Sequence, residues 1–123
     1  MGAPQPPLAQ VETSIDDDVV VARVVGEVDM SNAIEVQDRL LGAVPASAHG
    51  LAIDLAELAY LDSAGVRLLF ELQERLSRRG QGLRLAVPAG SHVRRVLLLT
   101  RLDTLVALDE DVAASIAAIR SSV

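Results

Sequence analysis

The chain has no cysteine, lysine or tryptophan, and only one tyrosine and one phenylalanine among its 123 residues. Without cysteine it can form no disulfide, thiolate nucleophile or zinc thiolate site, which fits a reducing compartment. Without lysine it has no Walker-type phosphate loop, which argues against a nucleotide-sensing module. The scarcity of aromatic residues and the formal net charge of -6 argue against nucleic-acid binding. We therefore expect no nucleic-acid partner.

Long apolar runs and targeting signals are also missing. No apolar run reaches the ~20 residues that span a bilayer, and the N-terminus lacks a basic segment followed by an apolar one. Residues 1–9 are rich in proline and small side chains, which predicts a disordered tail, and residues 10–123 are the length of one domain. The sequence predicts a cytoplasmic single-domain protein without direct membrane insertion.

Strand and helix patterns alternate along the rest of the chain. Strands are predicted over residues 11–15 and 19–25, joined as a hairpin, and over residues 51–55, 83–87 and 105–108. Gly26 is expected to end the second strand, and helices are predicted to begin after a capping box of Asn32 and Glu35, after Ser63, after Ser91 and after a cap at Asp109. Strands that alternate with helices favour parallel pairing. We therefore predict an α/β fold with a mixed, mostly parallel sheet of about four to five strands and about four helices.

The most informative segment is the turn that joins an apolar strand to a leucine-rich helix. It holds Asp62, Ser63, Ala64 and Gly65, so a hydroxyl lies at a helix N-terminus. The first backbone N–H groups of a helix lack internal partners and carry the positive end of the macrodipole, which suits an anion such as phosphate. Serine is also a common N-cap, so Ser63 is either a regulatory site or a cap. Gly65 is expected to leave the first turn sterically open.

Catalytic and metal-binding patterns are not found. Leu61 stands where a nucleophile elbow around Ser63 needs glycine, and His49 and His92 lack metal-ligand spacing. We expect surface or capping roles for both histidines. Residues 16–18 form an acidic run that is better explained as a solvated turn than as a calcium loop. The sequence predicts no enzymatic activity, metal or cofactor.

A family resemblance lies in three motifs and their order. Gly-Glu-Val-Asp at residues 26–29 follows a valine-rich strand, Asp-Leu at 54–55 closes the next strand, and Leu-Asp-Ser-Ala-Gly at 61–65 opens a helix. Together they resemble a STAS domain of the bacterial anti-sigma factor antagonists, over about residues 11–119. The resemblance implies a partner switch. The unmodified protein binds an anti-sigma factor that is also a serine-protein kinase, phosphorylation of the turn serine releases that partner, and a protein phosphatase resets the switch.

The resemblance also implies roles for particular residues. Ser63 corresponds to the phosphoacceptor, and the partner-binding surface would include Asp29, Asp62, Ala64, Gly65 and Arg67. Asp29 could equally cap the helix that follows it. Ala64 stands where the family often has a second serine, and Arg67 replaces a frequent glycine.

Two further points follow from the same resemblance. Arg101 stands where the family commonly has a glycine with positive φ, so the end of the third helix is expected to differ. STAS domains also serve as soluble subunits of membrane lipid transporters. In that alternative the same helix face docks without being phosphorylated.

Overall fold

Strands and helices alternate along residues 8–122, the part of the chain that the computed structural model describes. Within this range the strands are β1 (Ala9–Asp16), β2 (Val19–Val28), β3 (Gly50–Asp54), β4 (Leu58–Leu61), β5 (Gly82–Ala86) and β6 (Ala107–Asp109). The helices are α1 (Ala33–Gly42), α2 (Ser63–Arg78), α3 (His92–Leu99) and α4 (Val112–Ser121), and a short 3-10 turn, Leu102–Thr104, precedes β6. The predicted α/β class is confirmed, and β4 is a strand that the sequence pattern did not indicate.

One mixed sheet holds the strands in the order β1-β2-β3-β5-β6, with β4 paired to β2. β1 and β2 form the predicted antiparallel hairpin, whereas β2, β3, β5 and β6 run parallel. β2 has two parallel partners, because β3 pairs with its first half and β4 pairs with Gly26, Glu27 and Val28 near its end. The carboxyl ends of β2 and β4 therefore lie side by side.

The prediction that Gly26 ends β2 is wrong. Gly26 has a φ of 106°, a conformation that costs glycine little, and the register with β4 shifts between Gly26 and Glu27. A Cβ at Gly26 would lie 2.1 Å from the carbonyl oxygen of Leu8. Gly26 thus lets β2 continue closely beside the start of β1 while its parallel partner changes from β3 to β4.

Apolar side chains cover both faces of the sheet, because successive residues of a strand point to opposite sides. Alternate residues of β2 join the larger cluster with the inner sides of α1, α2 and α3. The opposite face is covered by α4, where Ile116 and Ile119 pack with Val19 and Ala52. Burial of its inner face, with Leu72 fully enclosed, fixes the position of α2 and hence of Ser63 at its start.

The last helix begins later than predicted. Asp111 is the N-cap of α4, and its Oδ1 accepts a hydrogen bond from the Ala114 N–H at 2.8 Å. Asp109, the predicted cap, ends β6 instead. There its carboxylate accepts two hydrogen bonds from Arg84 of β5, at 2.8 and 2.9 Å, and one from the Ser115 hydroxyl at 2.7 Å. Asp109, which the local pattern predicts as a helix cap, thus forms an ion pair with Arg84 of a neighbouring strand instead.

Asp109 should make stability depend on acid pH. The hydrogen bond from Arg84 lowers the pKa of Asp109, and the bond from Ser115 adds to this, against the opposing effect of partial burial. A lowered pKa in the folded state stabilises the fold above the ordinary carboxyl pKa of about 4, and this contribution is lost as the pH falls further. We expect urea titrations at a series of acid pH values to show this loss. In Asp109→Asn the dependence should be shallower, and equal slopes in both proteins would contradict the assignment.

The start of β1 overlaps the last residue of the predicted tail. Ala9 already begins β1 and is buried, and the Leu8 carbonyl accepts a hydrogen bond from the Glu27 N–H at 2.9 Å. Residues 1–7 of the predicted tail lie outside the described residues. Across residues 8–122 no helix is long and apolar enough to cross a membrane.

Candidate functional site

Two acidic residues come together at the carboxyl ends of neighbouring parallel strands. Asp29 follows β2 and Asp62 follows β4, and the register pairs Val28 with Leu61 immediately before them. The Asp62 N–H donates to the Val28 carbonyl at 3.2 Å, which ties the two strand ends together. The turn that carries Ser63 and the loop that carries Asp29 therefore lie at the same edge of the sheet. Loops that follow the carboxyl ends of parallel strands are a common position for binding sites in α/β folds.

Asp62, rather than Ser63, caps α2. The Oδ1 atom of Asp62 accepts hydrogen bonds from the N–H groups of Ala64 and Gly65, at 2.9 and 3.1 Å. Ser63 is the first helical residue and is exposed, and within residues 8–122 its hydroxyl makes no hydrogen bond. Because the carboxylate already accepts from these two N–H groups, the Ser63 hydroxyl is not needed as a cap. The alternative that Ser63 serves as the cap is therefore wrong.

Gly65 lies on the inner side of the first turn and is buried, in contrast to the expectation of an open surface position. A Cβ at Gly65 would lie 2.2 Å from Leu61 Cδ1 and 3.3 Å from Val28 Cγ1. The absence of a side chain lets α2 approach the ends of β4 and β2 closely. Gly65 thus positions Ser63 through packing.

Gly65→Ala should destabilise the protein although alanine is the better helix former. The added methyl must displace Leu61, which is itself buried, and overpacking costs about 1–3 kcal/mol against about 1 kcal/mol gained in helix propensity. We expect a net loss of about 1 kcal/mol in the free energy of unfolding, measured by urea denaturation. Gly42→Ala is the matched control, because no atom lies within 4 Å of its Cβ position. Equal stability of the two variants would contradict the packing role.

Asp29 organises the loop between β2 and α1. Its carboxylate accepts hydrogen bonds from the Ser31 hydroxyl at 2.5 Å and the Ser31 N–H at 2.8 Å. These bonds lower the pKa of Asp29, the hydroxyl more than the N–H, so the group is held as a carboxylate. The side chain therefore does not cap α1, although the Asp29 carbonyl accepts a hydrogen bond from the Ala33 N–H at 2.9 Å.

The predicted capping box of Asn32 and Glu35 is not formed. Asn32 is the N-cap residue of α1, but its side chain makes no capping hydrogen bond. Instead its Oδ1 accepts from the Asp29 N–H and its Nδ2 donates to the Glu27 carbonyl, both at 2.9 Å. Glu35 pairs with Arg39 one turn later, at 3.2 Å. The asparagine thus holds the loop against the end of β2.

An apolar groove of about 300 Å³ runs between α1 and α2 beside this turn. It is lined by Met30, Ile34, Ala64 and Arg67 among others. Met30 and Ile34 are 79% and 75% exposed, although both side chains are large and apolar. Sequence reasoning missed both residues. The available signal was that Ile34 lies off the buried face of α1, which Ala33, Val36 and Leu40 form.

Arg67 projects from the second turn of α2 into this groove. It is exposed, and within residues 8–122 it belongs to no ion pair. The surface around Ser63 therefore combines a hydroxyl, a fixed carboxylate, a cation and two apolar side chains. No group of acidic or histidine side chains within the described residues could hold a metal ion. The arrangement is suited to docking a protein and to modification of the hydroxyl.

The two histidines and the acidic turn at residues 16–18 make their contacts outside the surface around Ser63. His49 Nδ1 lies 2.6 Å from Asp18 Oδ2, at the turn between β1 and β2, and Arg120 of α4 contacts the carboxylates of the same turn. His92 is exposed and begins α3, whose cap is Ser91. These contacts agree with structural and surface roles.

The expectation that the end of α3 differs because Arg101 replaces a glycine is wrong, since Arg101 itself adopts a positive φ. Its φ is 60° and its side chain is exposed, between α3 and the 3-10 turn. The backbone thus keeps the left-handed conformation without glycine, at a cost of about 1–2 kcal/mol for a residue with a Cβ. The end of α3 therefore retains its turn despite the substitution.

Comparison with known families and solved structures identifies the domain. Residues 10–115 match the STAS domain. This chain belongs to the STAS domain family. An anti-sigma factor antagonist from Mycobacterium paratuberculosis has 27% sequence identity and a TM-score of 0.81, over 98% of this chain and 99% of that one.

Three further solved structures share the fold at lower identity. The anti-sigma factor antagonist SpoIIAA in its unphosphorylated form has 21% identity and a TM-score of 0.70, over 92% of this chain and 96% of that one. The phosphorylated form, from Bacillus, has 21% identity and a TM-score of 0.62, over 89% and 98%. A sulfate transporter family protein from Wolinella succinogenes has 14% identity and a TM-score of 0.68, over 87% and 88%. These likenesses concern the fold alone.

Proposed function

We propose that this STAS domain is an anti-sigma factor antagonist that regulates transcription by partner switching. In its unphosphorylated form it binds an anti-sigma factor that is also a serine-protein kinase. Phosphorylation of Ser63 by that kinase releases the partner, and a separate protein phosphatase restores binding. The protein acts in the cytoplasm, where sigma factors act, and it has no catalytic activity or cofactor of its own.

The observation that carries this proposal is the division of roles between Asp62 and Ser63. Asp62 caps the helix, which leaves the exposed Ser63 hydroxyl without a structural hydrogen bond in residues 8–122. A kinase can therefore reach the hydroxyl without unfolding the helix. A phosphate at the first helical position would lie at the positive end of the macrodipole, which favours an anion by about 0.3–2 kcal/mol. The fold should thus survive a modification that changes binding.

The surface around Ser63 supports a protein partner. Exposed Met30 and Ile34 offer apolar area, and the groove between α1 and α2 joins them to Ala64 and Arg67. Large exposed apolar side chains rimmed by charged groups are typical of docking surfaces. We propose that Asp29, Asp62, Ala64 and Arg67 contribute to this interface, with Gly65 acting only through packing. The likeness over the whole chain to the antagonist from Mycobacterium paratuberculosis also supports an anti-sigma factor as the partner.

A second candidate is a subunit of a membrane transporter complex. The shared fold of the sulfate transporter family protein from Wolinella succinogenes favours keeping this candidate. In that function the same helix face would dock without phosphorylation. The two candidates therefore differ in the effect of a charge at Ser63.

A capture experiment distinguishes the two candidates. Wild-type protein, Ser63→Ala and Ser63→Glu are immobilised and exposed to native lysate, and retained proteins are identified by mass spectrometry. We expect wild type and Ser63→Ala to retain an ATP-binding anti-sigma kinase that Ser63→Glu loses. Addition of ATP to the recovered complex should then add one phosphate to the wild type, mapped to Ser63, and none to Ser63→Ala. Retention of a transporter subunit by all three proteins would favour the second candidate.

Ile34→Asp should weaken the same complex without altering the fold. Ile34 is three-quarters exposed, so its replacement removes little packing within this chain. Loss of a buried apolar anchor at an interface typically costs at least about 2 kcal/mol, or roughly thirtyfold in affinity. Titration calorimetry against the purified partner measures the change, and Leu99→Asp, at an exposed position of α3, is the control. An unchanged affinity for Ile34→Asp would remove this groove from the interface.

A further inference from the structure

β1 lies at one edge of the sheet, and within the described residues it pairs only with β2. The hydrogen bond from the Glu27 N–H to the Leu8 carbonyl fixes which residues bond inward. In an antiparallel pair, residues that bond to the partner alternate with residues that bond away from it. Residues of even number in β1 therefore bond to β2. Val11, Thr13 and Ile15 direct their N–H and C=O groups outward, away from the sheet.

This edge lacks the features that usually keep edge strands apart. Natural edges are shortened, bulged, or blocked by proline or by charges that point inward. β1 has eight residues without proline, and its register with β2 is continuous from Ala9 to Asp16. Ile15 is 63% exposed although it is large and apolar. The only charge in the middle of the strand, Glu12, faces the other side of the sheet from Ile15.

We propose that β1 pairs antiparallel with β1 of a second copy of this chain, about a two-fold axis that passes through Thr13. Thr13 then lies opposite Thr13, and Val11 of each copy lies opposite Ile15 of the other. All three pairs consist of residues whose backbone groups point outward, so they can form a regular ladder. The two sheets become one continuous sheet across the dimer. This inference goes beyond the proposed function and does not depend on it.

Charge selects this register over its neighbours. A shift by two residues in one direction places Glu12 opposite Glu12, and a shift in the other direction places Glu12 opposite Asp16. Like charges directly opposite each other destabilise a strand pair. In the proposed register Glu12 lies opposite Ser14, and Asp16 lies opposite Gln10. The proposed pairing therefore places no two carboxylates of β1 face to face.

The two ends of β1 also differ in burial, so that an antiparallel pair of β1 strands sets a buried end beside an exposed one. Ala9 is 8% exposed, beside the groove that α1 lines, whereas Ile15 on the same face is far more open. The two-fold axis sets the uncovered end of one β1 against the covered end of the other. Each Ile15 thereby gains an apolar neighbour in the half-buried Val11 of the other copy. Because each chain carries a formal charge of -6, salt should screen the repulsion and strengthen the dimer.

A disulfide test probes the register directly, because the natural chain has no cysteine. Opposite residues of an outward-bonding pair have Cα atoms about 5.5 Å apart, within the range of about 4.4–6.8 Å that a disulfide spans. We expect Thr13→Cys to cross-link almost completely under mild oxidation. Ser14→Cys, which is also exposed but lies opposite Glu12, should cross-link only in traces. Equal cross-linking of the two variants, or none in Thr13→Cys, would overturn the proposal.

Sedimentation equilibrium of the full chain provides the second measurement. We expect the average mass to rise from 13.0 kDa toward twice that value with protein concentration, and to rise further in high salt. Thr13→Pro removes an outward N–H without removing a bond to β2, so it should remain at the mass of one chain. Thr13→Val keeps that N–H and should still dimerise. A wild type that stays monomeric at every concentration, or a folded Thr13→Pro that dimerises equally well, would contradict the proposal. If thermal melting shows Thr13→Pro to be unfolded, the cysteine pair decides.

Discussion

Phosphorylation of Ser63 is expected to weaken binding of the anti-sigma factor by roughly thirtyfold to several thousandfold. A phosphate adds about -1.5 to -2 charges. If that charge is buried against the partner without a matching cation, the lost hydration costs about 2–5 kcal/mol, which corresponds to this range of affinity. The structure of the chain itself should change little, because Asp62 continues to cap α2. Titration calorimetry with the unmodified and phosphorylated proteins measures the difference.

Ser63→Glu should reproduce the lower end of this effect, since it adds a single charge at the same place. Ser77→Glu is the matched control, because it adds the same charge to an exposed position near the other end of the same helix. We expect Ser77→Glu to bind as the wild type does. Thermal melting should give similar midpoints for wild type and Ser63→Glu. Similar loss of affinity in both glutamate variants would show that overall charge, rather than a charge at Ser63, controls binding.

Gly26→Ala should lower the free energy of unfolding by about 3 kcal/mol. Two costs add at this position. A positive φ strains any residue with a Cβ by about 1–3 kcal/mol, and the new methyl would overlap the Leu8 carbonyl, with an overpacking cost of about 1–3 kcal/mol. A backbone atom cannot rotate away as a side-chain terminus can. Relief therefore requires β1 and β2 to separate near the end that leads to Asp29.

Alanine variants of two other glycines separate the cost of the positive φ from the cost of the overlap with Leu8. Gly80 has a φ of 72° but no atom within 4 Å of its Cβ position, so Gly80→Ala measures the backbone term alone. Gly42 has neither feature, so Gly42→Ala should be neutral or slightly stabilising. Urea titrations should place the loss of stability in the order Gly26, Gly80, Gly42. If Gly26→Ala and Gly80→Ala lose the same stability, the close approach to Leu8 contributes nothing.

The predictions for Ser63 and Gly26 both concern the region where the carboxyl ends of β2 and β4 lie side by side. Gly26 allows β2 to change its parallel partner, which brings the end of β2 beside the end of β4. Asp29 and Asp62 then hold the two turns that follow these strands. The backbone geometry is thus determined by glycine and carboxylate contacts. Ser63 has no part in these contacts, and its chemistry can change without loss of the fold.

Sequence patterns did not predict β4 or the contacts of Asn32 and Asp109. β4 has four residues, buried at both ends and exposed between, which lacks the alternation of a strand. Its strand conformation follows from pairing with β2. Asn32 and Asp109 both have sequence contexts typical of helix caps. Asn32 instead bonds back to Asp29 and Glu27 at the end of β2, whereas Asp109 bonds to Arg84, which lies 25 residues away in the chain.

The sequence by itself determined the α/β class, the hairpin, the helix that begins at Ser63 and the family to which the chain belongs. These features depend on local periodicity, on turn residues and on motifs that are contiguous in the chain. Only the tertiary structure decided that Asp62 caps this helix, that Gly65 faces inward and that Met30 and Ile34 adjoin Ala64 across a groove. The positions of Gly65, Met30 and Ile34 depend on contacts between different elements, which the packing of the sheet and helices selects and local patterns do not encode. The cap is a local contact, but two adjacent residues, Asp62 and Ser63, are both typical caps, and the sequence does not choose between them.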